Sequence, residues 1–200
     1  MLALVSGLGT GLSLIVAIGA QNAYVLRQGL RREHVLAVVL VCASSDLVLI
    51  VIGVAGVGTL VQDRPTVLSV VRYAGAAFLL SYAALALRRA VVGGRLDVAA
   101  GGPSRGVGPV LVTGLALTWL NPHVYLDTVL LLGSLAGSHG PVGRWQFAAG
   151  AGLGSIAWFS ALGAGARLLT PLFARPLAWR LLDVGVALTM LAVAASLLLA

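Results

Sequence analysis

Two aspartates stand inside apolar runs of this chain: Asp46 in CASSDLVLIVIG and Asp127 in TWLNPHVYLD. A carboxylate at that depth in hydrocarbon costs about 2.5–3.5 kcal/mol on insertion scales, and by default it marks an ion pathway or a proton relay. The plainer reading of Asp46 is a structural carboxylate that pairs with an arginine or accepts a hydroxyl bond from Ser44 or Ser45. For Asp127 it is an interfacial residue near a helix end. His123 precedes Asp127 by four positions, so the two share a helix face. With Asp46 they supply the donor types of a His/Asp/Asp cation site. No nucleophile–base–orienter set and no glycine-rich phosphate loop is visible, so neither catalytic residues nor a cofactor are expected.

These residues need elements to position them. Residues 107–137 as one helix would run about 46 Å, against a hydrocarbon core of about 30 Å. Asn121-Pro122 is where sterics favour a break, because proline removes a backbone bond and clashes with the preceding turn. Asn121 is placed to cap a second half-helix with Pro122 at its first position. A matching interruption at Gly19-Ala20-Gln21-Asn22 lets Asn22 cap a half-helix in the first segment. Exposed N–H groups at such starts suit a carboxylate. The bland reading of both is a kink that only shapes packing.

Composition sets the medium. The chain has 200 residues, 60% hydrophobic and 10% charged, with a mean hydropathy of +1.04. A soluble domain is about 25% charged, so this is an integral membrane protein. A span needs about 20 apolar residues, and six segments qualify: roughly 2–26, 35–61, 67–87, 107–134, 145–167 and 178–199. All 13 basic residues are arginine, and they lie singly between apolar runs. The net charge of +7 therefore points to topology and not to nucleic acid. The first, third and fifth connections hold ten of them (Arg27, Arg31, Arg32; Arg88, Arg89, Arg95, Arg105; Arg167, Arg175, Arg180). The second and fourth hold Arg64, beside Asp63, and Arg144. That asymmetry places the odd connections in the cytoplasm and both termini outside. Residues 1–26 lack the basic start of a signal peptide and read as a spanning helix. The lone Cys42, inside an apolar run, excludes a disulfide. Asp183 and Arg180 near the start of the last segment read as an interfacial ion pair or solvated charges. The tryptophans read as belt or packing residues, with Trp119 near enough to the break to wall a substrate.

Short echoes relate the halves: Asn22 with Asn121, Tyr73-Ala-Gly75-Ala-Ala77 with Asp183-Val-Gly185-Val-Ala187, and Ser45 and Gly53 with Ser155 and Gly163. They suggest a three-plus-three duplication. An odd number of helices per repeat forces opposite orientations, and paired interruptions point to a transporter binding site.

At this point the stretches GLGTGLSLIVAIGAQNAYVLRQGLRREH, SSDLVLIVIGVAGVGTL and TWLNPHVYLDTVLLLGSL resemble the LysE/ArgO family of bacterial basic amino acid exporters, with GRWQFAAGAG and Trp158-Phe159 extending the likeness. The resemblance covers essentially the whole chain. It implies export of L-lysine or L-arginine across the inner membrane, driven by protons or the membrane potential. It places the family's two intramembrane acids on Asp46 and Asp127, and its G-P-Q-N motif on Gly19, Ala20, Gln21 and Asn22. Ala20 replaces the usual proline, Asp183 replaces a more usual asparagine, and the 88–106 connection is short.

The expected protein is an all-α integral membrane exporter with six transmembrane helices as a 3+3 inverted repeat, helices one and four interrupted near mid-membrane. It is a single domain over 1–200, with repeat one at about 1–90, a flexible connection at about 88–106 and repeat two at about 107–200. Asp46 and Asp127 bind the cationic group. Asn22, Asn121 and the half-helix N–H groups, shaped by Gly19 and Pro122, hold the carboxylate, with Gln21 and Tyr125 as neighbours; His123 stays open. Expected partners are L-lysine or L-arginine, a proton or other coupling ion and the inner-membrane bilayer, with a homodimer allowed and no nucleic acid. The alternative is a divalent metal exporter built on His123, Asp46 and Asp127. An intramembrane enzyme with a His/Asp dyad lacks a nucleophile at that depth.

Overall fold

The computed structural model describes residues 1–16, 19–56, 65–92, 106–173 and 175–199. Asp63, Arg64, Arg95 and Arg105, and most of the 88–106 connection, lie outside them. The described residues are helical throughout apart from short turns, as hydrocarbon demands of a chain whose backbone groups must bond within their own segment.

The first segment is two helices, α1 (Leu2–Ile15) and α2 (Ala20–Arg31), with axes bent by 82°. Arg32 closes α2 in the left-handed region, φ 56°, returning its N–H to the carbonyls of Gln28 and Gly29. Next come α3 (Val35–Val54) and α4 (Pro65–Val92). The fourth segment breaks into α5 (Val107–Trp119), a turn α6 (Pro122–Val124), a π-helix (Tyr125–Leu131) and α7 (Leu132–Gly137). Then follow α8 (Gly140–Gly165), a 3₁₀ turn (Ala166–Leu169), α9 (Thr170–Phe173) and α10 (Pro176–Leu199). Among the described residues, four helices are long and apolar enough to cross a membrane, or five if the bent first pair is one span. The fourth segment does not count because its pieces are each too short alone.

Lipid gives helices no hydrophobic reason to associate, so close packing has to hold them. In α1, Gly7 and Gly11 face α8, and a Cβ on Gly11 would come within 2.9 Å of the Ala151 Cα. Gly150 answers from α8, where a Cβ would collide with the Leu4 carbonyl. α4 and α10 meet along a stripe of small side chains, Ala83, Ala86, Ala187 and Ala194, filled by Leu79, Val186 and Met190. α3 sits centrally against α8, α5, the π-helix and α7. Its Gly53 lets the π-helix backbone approach, because a Cβ there would lie 2.8 Å from the Thr128 carbonyl oxygen.

Candidate functional site

The two breaks and Asp46 face one cavity. It is lined by Leu14, Ile15 and Gly19–Asn22 from the first break, and by Asp46 from α3. Asn121, His123, Val124, Asp127 and Thr128 line it from the second break, with Phe159 from α8 and Thr189, Met190 and Val193 from α10. Among the expected site residues, Gly19, Gln21, Asn22, Asp46, Asn121, His123 and Asp127 are therefore brought together.

Asn121 caps as its position implies: its Oδ1 accepts the His123 backbone N–H at 3.1 Å, with Pro122 at the first helical position. Asn22 does not. The cap position of α2 is Gly19, with extended backbone and no side-chain cap bond, and Asn22 lies three residues further in. Its Nδ2 instead donates to the Ile15 carbonyl at 2.7 Å, tying α2 back to the end of α1. Its Oδ1 accepts the Trp158 Nε1–H at 3.3 Å. The start of α2, Gly19–Asn22, thus lines the cavity with no side-chain cap bond at Gly19.

Asp46 is 6% exposed. Its hydroxyl bond comes from neither Ser44, which donates to the Val41 carbonyl, nor Ser45. It comes from Ser155 on α8, whose Oγ donates to Asp46 Oδ2 at 2.9 Å. Among the described residues no arginine or histidine pairs with Asp46, leaving a buried carboxylate with hydrogen bonding but no counter-charge. The side chain of Gln21 lies beside it.

His123 and Asp127 meet as their spacing implies, Nε2 lying 3.0 Å from Oδ2. Asp127 is held on the π-helix, a wider turn that is frequent at functional sites. Tyr125 turns away from the cavity lining: its hydroxyl donates to the Trp119 carbonyl at 2.8 Å and bonds one side of the break to the other. Trp119 is not a wall either, because its indole N–H donates to Ser45 Oγ at 3.1 Å. Among the described residues no three His, Cys, Asp or Glu side chains come together as a metal site. Asp183 is corrected as well: its partners are Arg27 and Arg89, not Arg180.

Sequence reasoning missed the apolar wall of Leu14, Ile15, Phe159, Met190 and Val193, because in a membrane chain apolar residues carry no local signal. Ser155 was visible only as the echo of Ser45.

The arrangement has a buried carboxyl at Asp46 with no cationic partner among the described residues, the start of α2 without a side-chain cap bond, and an apolar wall. It is suited to a small molecule with a cationic end, a stem and an anionic end. The LysE type translocator family model matches residues 12–200. The chain is 49% identical over 183 residues to a Mycobacterium tuberculosis protein named "Putative amino-acid transporter", covering 92% of this chain and 90% of that protein. It is 42% identical over 177 residues to the arginine exporter protein ArgO of Yersinia enterocolitica, covering 88% and 86%. With the lysine exporter LysE of Corynebacterium efficiens it shares 37% over 223 residues, covering 98% and 97%. No solved structure matches. A family match over nearly the whole chain, on a bundle of membrane-length apolar helices around a cavity that holds buried polar groups, makes it a multi-pass membrane transport protein and not an enzyme: the chain belongs to the LysE type translocators.

Proposed function

We propose that this protein exports cationic L-amino acids, lysine or arginine, across the inner membrane through the cavity between its two broken segments. The observation that carries the reading is Asp46, buried in the cavity wall with no counter-charge among the described residues. An ionised carboxylate there is costly until a cation joins it. A substrate ammonium or guanidinium supplies that cation, with Asp127 as the second acid. The substrate carboxylate sits at the uncapped start of α2, at Gly19–Asn22, where the helix dipole favours negative charge. Asn22, Asn121, Pro122 and Tyr125 fix the two breaks. The names of the relatives, a lysine exporter and an arginine exporter, support the substrate class. Protonation of the acids outside releases the cation, which couples export to the proton gradient or the membrane potential.

The same reading makes the fold one domain of two inverted repeats, about 1–90 and 107–200, with six spans and both termini outside. The pattern of neighbours supports it. Exchanging α1, α2, α3 and α4 with α5, the α6–α7 run, α8 and α10 maps observed contacts onto observed contacts. Thus α1–α8 becomes α5–α3, α2–α8 becomes α7–α3, α2–α3 becomes α7–α8, and α2–α10 becomes α6–α4. The α3–α8 and α4–α10 pairs map onto themselves.

The test is efflux of labelled arginine and lysine from loaded proteoliposomes, with and without a membrane potential. Asp46→Asn and Asp127→Asn are each expected to lower the rate by about tenfold or more, the equivalent of about 1.4 kcal/mol. Full-rate export by both variants sinks the mechanism.

A further inference from the structure

Away from the cavity, one carboxylate holds two arginines. Asp183 on α10 is 5% exposed, and its Oδ1 pairs with Arg27 Nη2 from α2 and with Arg89 Nε from α4, the latter at 3.2 Å. Each guanidinium also lies over a ring: Arg27 at 5.6 Å from Trp179 and Arg89 at 5.5 Å from Tyr82. Trp179 is itself fixed by its indole N–H to the Phe173 carbonyl at 2.8 Å. Charge-assisted bonds and ring faces thus join three helices that are far apart in sequence.

Its place relative to the cavity decides what it can do. On α2, Asn22 lines the cavity and Arg27 follows by five residues, about 8 Å along the axis. On α10, Asp183 precedes Thr189 by six residues, about 9 Å. The two helices run in opposite senses between the cavity and the cluster, so both put the cluster beyond the same end. That end carries the connections richest in arginine. Between the two, Ala23 on α2, Ala83 and Ala86 on α4 and Ala187 on α10 pack in one cluster with Val186 and Leu182, so the three helices meet there through direct side-chain contact.

We propose that Arg27, Asp183 and Arg89 are further transport residues of this protein: an ion-pair gate that closes the arginine-bearing end of the cavity while α2, α4 and α10 are drawn together. The proposal rests on the cavity being the transport route. The single carboxylate is what makes the gate decisive. Without Asp183 the two guanidinium groups face each other with no anion between them, and in a low dielectric they repel. Loss of the aspartate therefore opens the end.

The experiment places a reporter in the cavity, Thr189→Cys, in a chain whose one native cysteine is removed by Cys42→Ser. The full-length protein is reconstituted into vesicles of each orientation. A membrane-impermeant maleimide is then applied from one face at a time without any substrate. With the gate intact, labelling from the arginine-bearing face is slow. Adding Asp183→Asn is expected to raise it about tenfold or more, and Arg89→Gln alone by less. Exchanging the charges, Arg27→Asp with Asp183→Arg, is expected to return labelling toward the parent rate, which a merely misfolded variant cannot do. Unchanged labelling in Asp183→Asn, a rise confined to the opposite face, or no recovery in the exchanged pair overturns the gate. Because no substrate is present, the result stands even if efflux of arginine and lysine fails, which would sink the export reading alone.

Discussion

Ser155 donates to Asp46 across 109 positions of sequence, and its bond sets where the buried carboxylate points. A hydrogen bond to a charged group contributes about 1.5–3 kcal/mol, so Ser155→Ala is expected to weaken the apparent affinity for the cationic substrate about tenfold. Ser155→Thr keeps the hydroxyl and restores most of it. Initial export rates against internal substrate concentration read this directly, and an alanine variant with unchanged affinity shows that the hydroxyl does not position the acid. The acids themselves were legible from the sequence because charge in an apolar run is conspicuous. Their partners were not. Nothing near Asp46 favours Ser155 over the adjacent Ser44 and Ser45, and the choice is made by how α3 crosses α8. Asp183 shows the same limit, since Arg180 is its nearest basic neighbour in sequence while Arg27 and Arg89 arrive on other helices.

At the scale of elements, the two asparagines at the breaks look alike and work differently. Asn121 makes a local cap, one residue before Pro122 and two before the N–H it accepts, and local chemistry is what a sequence displays. Asn22 spans the gap to Ile15 and reaches Trp158, 136 positions away; only the bend between α1 and α2 creates that job. Serine separates the roles. It caps about as well as asparagine, so Asn121→Ser is expected to melt within a few tenths of a kcal/mol of the parent. At Asn22 a serine is too short for both bonds and leaves buried groups unpaired, at about 1–3 kcal/mol. Thermal unfolding in detergent of the two variants ranks them. Equal melting temperatures mean that Asn22 does not brace the break. The π-helix was beyond reach from sequence for a related reason: YLDTVLL is unremarkable as an α-helix, and the wider turn accompanies the close approach of Gly53 and Gly133 between α3 and the fourth segment.

For the whole molecule, the main interfaces run between the halves of the chain and not within them. α1 packs on α8, α4 on α10, and α3 on α5 and α8, whereas contacts inside one half are fewer and centre on short elements such as α2 with α3. A half alone therefore leaves the glycine face of α1, or the alanine face of α4, against lipid, where close backbone approach has no partner. It also strands Asp183 without Arg27 and Arg89, and Asp46 without Ser155. The interfaces described are made by residues up to Val92 and from Gly106 onward. Cutting the chain there and co-expressing residues 1–92 and 106–200 is expected to restore export in cells and to give a complex that purifies through a tag on either piece. Each piece expressed alone is expected to be degraded, because unpaired charge and unpacked helices mark it as unfolded. A first half that accumulates alone, with Asp46 inaccessible to carboxyl reagents, shows instead that the repeats fold independently. In that case the cavity is assembled by docking two finished units.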